Sequence, residues 1–255
     1  MKNPVALRVL TVVGALTLFA AATPAAADDH LPTAREVVDR YVEAINAREA
    51  LEDVESIKST GTFSIPAQGM SGELTMWQKA PDKMLTRITL SGIGEIEQGY
   101  DGEVGWSIDP MQGAMLLTGA MLDQIRDQAN FRGMLYEDDD IDTLEMIGEA
   151  EFQGEPAYEI RVVSAAGLET TQFFSVESGL LLGQKMEQQS PMGAVPVTQV
   201  IGDYQEFGGL LLPTTSTDRM MGMEQKMEIT SISVEAIDDS VFAVPAEIEA
   251  LAEPE

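Results

Sequence analysis

Across residues 54–234 apolar and polar positions alternate with a period of two, and clusters of glycine, proline, aspartate and serine interrupt them about every ten residues, the pattern of short antiparallel strands. Ile57, Ser59, Gly61, Phe63 and Ile65 fall on one side of the first segment, with Ser56, Lys58, Thr60, Thr62 and Ser64 on the other. Leu74 and Met76 then alternate with Glu73, Thr75 and Trp77, and segments 83–90, 95–100 and 104–108 follow. Seven more run over 144–152, 156–163, 169–176, 180–189, 195–204, 211–220 and 223–234. Asp101-Gly102 marks the clearest hairpin, a tight primed turn with positive φ expected at both residues.

Helical spacing occurs twice. Val37, Val38, Tyr41, Val42 and Ile45 lie opposite Glu36, Asp39, Arg40 and Glu43, and Thr33 with Glu36 fits a capping box. The strand pattern is interrupted once, from Pro110 to about Asp140, by a stretch rich in methionine and glycine. A helix opening at Thr118 or Gly119 would put Met121, Leu122, Ile125 and Ala129 on one face, and the acid run Glu137-Asp138-Asp139-Asp140 closes the segment. About 11–12 strands cannot stay flat and open, so the expected fold is mainly β with α: an unclosed antiparallel β-barrel whose helices cover its concave face. The interruption would be its flap.

The ends of the chain set the compartment. Lys2 and Arg8 precede a short apolar run, and Thr23-Pro24-Ala25-Ala26-Ala27 supplies small residues for cleavage. Residues 1–27 read as a signal peptide cut after Ala27, and 28–255 as a single exported domain in the periplasm. With no cysteine, that domain has no disulfide and no lipid-modified cysteine, so its core alone must stabilise it. Without Lys2 and Arg8, 13 cations face 43 acids, a net charge of −30 that argues against nucleic acid and anionic membrane surfaces as partners. The acids fit either a saline habitat or a cationic partner.

Catalytic chemistry is poorly supplied. His30, just past the cleavage site, is the only histidine, so neither a serine–histidine triad nor a histidine metal site can be assembled. Glu95 with Glu97, and Asp101 with Glu103, could pair for acid–base work but read better as solvated faces. Glu137 to Asp142 lacks the glycine and terminal glutamate of a calcium loop. No catalytic residue, metal or cofactor is expected.

Methionine is the positive signal. Fourteen of the 15 lie past the leader, concentrated in the flap (Met111, Met115, Met121, Met134), at Met192 and in the last strands (Met220, Met221, Met223, Met227). Such side chains suit either a surface that accepts acyl chains or the filling of a core under a curved sheet. The candidate ligand-lining set is Leu74, Met76, Met84, Ile88, Trp106, Met115, Met121, Ile125, Phe131, Phe174, Met186 and Met227, with Trp106 flooring the cavity mouth and Arg87 as a candidate tether for the flap. A one-residue slip in register would turn a whole strand's contribution outward. Deleting residues 118–136 is expected to abolish lipid retention while leaving the sheet folded.

The stretch Gln98-Gly99-Tyr100-Asp101-Gly102-Glu103-Val104-Gly105-Trp106, followed by Asp109-Pro110, resembles the strand-turn-strand of periplasmic lipoprotein carriers of the LolA/LolB superfamily, especially an outer-membrane lipoprotein-sorting-like branch. Tyr41-Val42-Glu43-Ala44-Ile45, Ala80-Pro81-Asp82-Lys83, Ser178-Gly179-Leu180-Leu181, Asp203-Tyr204, Leu212-Pro213 and Phe242-Ala243-Val244-Pro245 follow the same order. The resemblance implies an unclosed barrel with helices over an apolar hollow, and a non-enzymatic carrier for lipid-modified proteins or other lipophiles; a monomer is expected. An envelope protein-interaction or sensor module with no lipid ligand is the alternative, and it predicts a filled interior.

Overall fold

The computed structural model describes residues 30–252; the signal peptide and cleavage site expected from the sequence lie outside them. Thirteen strands form one antiparallel sheet. The first six are β1 (Ser56–Ile65), β2 (Met70–Lys79), β3 (Lys83–Leu90), β4 (Gly94–Tyr100), β5 (Gly105–Asp109) and β6 (Gly113–Leu116). The rest are β7 (Ile141–Phe152), β8 (Glu155–Ser164), β9 (Glu169–Ser175), β10 (Leu181–Gln188), β11 (Val195–Phe207), β12 (Leu210–Met220) and β13 (Met223–Ser233). Each set is a meander of hairpins, and the two join where β1 pairs with β13. The edges β6 and β7 do not pair, so the barrel is unclosed, and the chain between them must travel from one edge of the sheet to the other.

Four helices accompany the sheet: α1 (Ala34–Ala44), α2 (Ala47–Ala50), α3 (Ala120–Ala129) and α4 (Ala246–Ala252). α1 starts as the sequence predicts, with Thr33 and Glu36 satisfying each other's backbone N–H groups in a full capping box. The Thr33 amide and hydroxyl both donate to the Glu36 carboxylate and hold it below its ordinary value. Val37, Val38, Tyr41 and Val42 are buried against the sheet.

Two local expectations are corrected. The interruption does not begin at Pro110, because Gly113–Leu116 forms the extra strand β6 on β5. The hairpin before it is turned by the Asp109 carboxylate, which accepts from the Met111 and Gln112 amides, and by Gly113 at φ +83°. Met111 therefore sits exposed at a hairpin tip rather than in a flap, and Met115 is a strand residue. At the other hairpin only Gly102 has positive φ; Asp101 instead accepts from the amides of Glu103 and Val104, an Asx-type turn.

Candidate functional site

Directly opposed residues in an antiparallel pair share a face, so the register assigns each strand residue to one of two sides. One lateral row reads Gln78, Met84, Tyr100; the next reads Met76, Thr86, Gln98, Ser107, Met115; the next Leu74, Ile88, Ile96. This is the helix-bearing side: Met84, Tyr100, Met115 and Leu117 pack with Met121, Leu122, Ile125 and Ala129 of α3. Gly105 makes the approach possible, since a Cβ there would lie within 3.0 Å of Ile125 and Leu122. On the second meander Ile160, Val162, Phe174 and Leu181 take the same side, under α1 and the stretch Phe131 to Tyr136.

Of the residues singled out in the sequence, Leu74, Met76, Met84, Ile88, Met115, Phe174, Met186 and Met227 lie on this side of the sheet, and Met121, Ile125 and Phe131 approach it from the covering segment. They do not make one site. Met84, Met115, Met121 and Ile125 form the packing beneath α3, whereas Phe131 and Phe174 belong to the core under α1. Leu74, Met76, Ile88 and Met227 join Phe63, Leu90, Ile65, Ile96 and Ile229 in a third cluster to which no helix contributes. Six of its members, Ile65, Met76, Ile88, Ile96, Met227 and Ile229, are only partly buried, so this trough of apolar side chains is incompletely covered.

Trp106 does not join them. It opposes Gly99 and Leu116, in one lateral row with Leu85 on the reverse side, and is fully buried beneath Ile237, Phe242 and Ile248 of the C-terminal segment. Gly99 is required there because a Cβ would fall 2.3 Å from the indole ring. Arg87 is on that reverse side too, paired with Glu95 and Glu97 and lying over Trp77, and so cannot tether α3. The two glutamates are held by one arginine, a structural use. The C-terminal cover, including α4, carries no signal as clear as the strand alternation, and only the register shows which side it must occupy.

The covering segment is tied to both meanders. α3 is anchored on β4 and β5, while Gln124, buried, reaches the opposite hairpin: its Oε1 accepts from the Gln189 amide at 2.9 Å and from Gln188 Nε2 at 3.2 Å. Further along, the Phe131 amide donates to Pro81 O, Arg132 donates to Leu51 O, and Arg35 clamps Tyr136 O and Asp138. In the acid run, Glu137 and Asp138 pair with Arg48 and Arg35, and no metal-holding cluster occurs among the described residues. Tyr41, Tyr136 and Phe174 meet edge to face at centroid separations of 5.5 to 6.3 Å. Burial pushes the Tyr41 hydroxyl up to about 12 and raises those of Tyr136 and Tyr204 as well.

A polar strip crosses the same side. Gln172, Gln184, Gln199 and Asp218 oppose one another across β9 to β12, and each carboxamide donates to the next: Gln172 to Gln184 at 3.4 Å, Gln184 to Gln199 at 2.9 Å, Gln199 to Asp218 at 3.0 Å. Tyr136 donates to the far end, at Gln172 Oε1, 2.7 Å. Burial raises the Asp218 carboxyl, opposed by the bonds from Gln199 and Ser216. Alternation of glutamine with apolar residues in three successive strands is the only trace of this strip in the sequence.

Between α2 and the start of β12, a cavity of about 10 Å³ is lined by Ala50, Leu51, Val54, Ile57, Leu210 and Leu212 among others. That is room for about one water molecule, not an acyl chain.

No family model matches the chain, and no curated protein does. Among solved structures, it is similar to a LolA superfamily protein from Nitrosomonas europaea, with a TM-score of 0.55 and 13% identity over 84% of this chain and 99% of that one. It is also similar to a DUF1329 family protein from Desulfovibrio piger, with a TM-score of 0.54 and 11% identity over 82% of this chain and 97% of that one. The chain has the LolA-like fold.

Proposed function

We propose that this protein is a non-enzymatic periplasmic binder or carrier of lipophilic ligands, such as an acyl chain or an acylated protein. The observation that carries the reading is the incompletely covered apolar trough of Ile65, Met76, Ile88, Ile96, Met227 and Ile229, flanked by a helix whose far contacts are polar. The LolA-like fold supports it, and so does the export signal read in residues 1–27.

The opening step follows from the contacts. α3 keeps its apolar face on Met84, Tyr100 and Met115 and releases the β10–β11 hairpin by breaking the hydrogen bonds of Gln124. Two or three such bonds are worth about 1–4 kcal/mol net. Burying ten methylenes of a ligand contributes about 8 kcal/mol, which exceeds that cost. The filled core under α1 takes no part.

Lipid extraction and mass spectrometry of protein purified from its native compartment tests the reading. Recovery of a stoichiometric lipophile is expected; protein that carries none and ignores added fatty acids and lipopeptides refutes it. A second reading, an envelope protein-interaction module, is favoured by the small size of the cavity beside α2 and by the close packing of Tyr41, Tyr136 and Phe174. It expects the trough to be covered by a protein surface instead.

A further inference from the structure

We infer that the strip Gln172–Gln184–Gln199–Asp218 is a head-group site that selects uncharged amide- or hydroxyl-bearing amphiphiles over anionic ones. The inference rests on the lipid-binding reading and adds to it the chemistry of the head.

The strip adjoins the trough through the register. Asp218 opposes Gln225, and its neighbour on the same face, Ser216, opposes Met227 of the trough. An acyl chain lying on Met227 and Ile65 would bring its head to Asp218 and Gln199. The strip also has capacity to spare. Each carboxamide has two N–H donors and an oxygen with two lone pairs, and the ladder uses about half of these. Gln172, Gln184, Gln199 and Asp218 are all only partly buried, so the groups that the ladder leaves unused are within reach of a ligand. An amide or alcohol can both accept from such groups and donate to Asp218. A carboxylate or phosphate can only accept, and would face Asp218 as a like charge.

The cations reinforce this. All eight lysines and arginines of the described strands fall on the reverse side by register: Lys58 and Arg87 beside Trp77, Lys79 and Lys83 on Asp239, Arg161 on Glu145 and Glu169, Lys185 over Phe173, and Arg219 and Lys226 on Glu224. On the helix-bearing side Arg126 of α3 is engaged by Asp123 and the Tyr100 hydroxyl, and Arg35 and Arg132 by backbone carbonyls. Nothing on the strip can neutralise an anionic head.

Displacement of bound Nile red by hexadecanamide and by hexadecanoate, at a pH that ionises the acid, tests the site. In about 1 M salt the Debye length is about 3 Å, so repulsion by the distant surface acids is screened. The amide should displace at a concentration at least about tenfold lower than the carboxylate does, and Asp218→Asn, which removes the like charge and adds a donor, should bring the two within about twofold of each other. If neither ligand displaces the dye, the lipid-binding reading fails and takes this inference with it. If both displace it equally in the wild type, or the preference survives in Asp218→Asn, the head-group site is refuted and lipid binding stands. Should Asp218→Asn fail to fold, the wild-type ratio in high salt decides, a ratio near one overturning the inference.

Discussion

The two pieces that cover the helix-bearing side, α1 and α3, are built differently. α1 begins in a capping box, buries Val38 and Val42 almost completely, and lies in a core closed by the aromatic contacts of Tyr41, Tyr136 and Phe174. α3 begins at Gly119 with no side-chain cap, packs partly exposed methionine and leucine on the first meander, and reaches the second through polar side chains, Gln124 on the β10–β11 hairpin and Asp127 toward Ser164. Dry interdigitated packing can be released only with the fold, whereas a polar contact can exchange with water at little net cost. α1 is therefore a plug, and α3 is a cover that can part from one side. The same contrast corrects the deletion expected from the sequence: residues 118–136 include Phe131, Leu135 and Tyr136 of the main core, so removing them would unfold the domain along with the cover.

The contrast can be broken in graded steps. Phe174→Ala should cost about 3–5 kcal/mol of global stability in urea unfolding, because it leaves a hole between Tyr41 and Tyr136. A loss under about 1 kcal/mol would mean the plug is not packed as described. Gly119→Ala should cost about 1–3 kcal/mol, since a Cβ there meets nothing within 4 Å and the penalty is that of φ +55° with ψ −135° alone. Hydrogen exchange should then show α3 amides opening faster while those of α1 keep wild-type protection. Thr33→Ala should cost about 1 kcal/mol and speed exchange only in the first turn of α1.

The smallest effect concerns Asp218. Its carboxyl is raised on folding, so the neutral form is the one the fold prefers. Stability tied to this group is full below the unfolded carboxylate value and is lost as pH rises through the folded one. Asp218→Asn should therefore raise the melting temperature at pH 7 by on the order of 2 °C, with the difference vanishing at acid pH. A gain that persists at low pH would assign the effect to something other than ionisation.

Much of this was legible in the chain. Period-two alternation located twelve of the thirteen strands, because a sheet with one apolar side imposes that period whatever its surroundings. β6 escaped because four residues after an exposed hairpin tip are too short to show a period, and methionine and glycine suit strand and helix pattern alike. The same alternation told two sides apart within a strand but not which of them the helices would take. Trp106 reads from the sequence as the floor of the cavity mouth for that reason, whereas the C-terminal segment claims its side. The glutamine strip was illegible because its members are distant in sequence and meet only through the register of four strands.

What the sequence determined by itself is local: where strands and helices begin, the capping box on α1, the lack of thiol and near-lack of imidazole, and a heavily acidic surface. These follow from backbone preference, periodicity and composition, which need no partner. The tertiary structure alone decided that the apolar residues divide into a sealed core and an incompletely covered trough, and that the strand cations all lie on the reverse side. It also aligned Gln172, Gln184, Gln199 and Asp218 into one strip, because register and the packing of one element on another are long-range choices that no window of the chain contains.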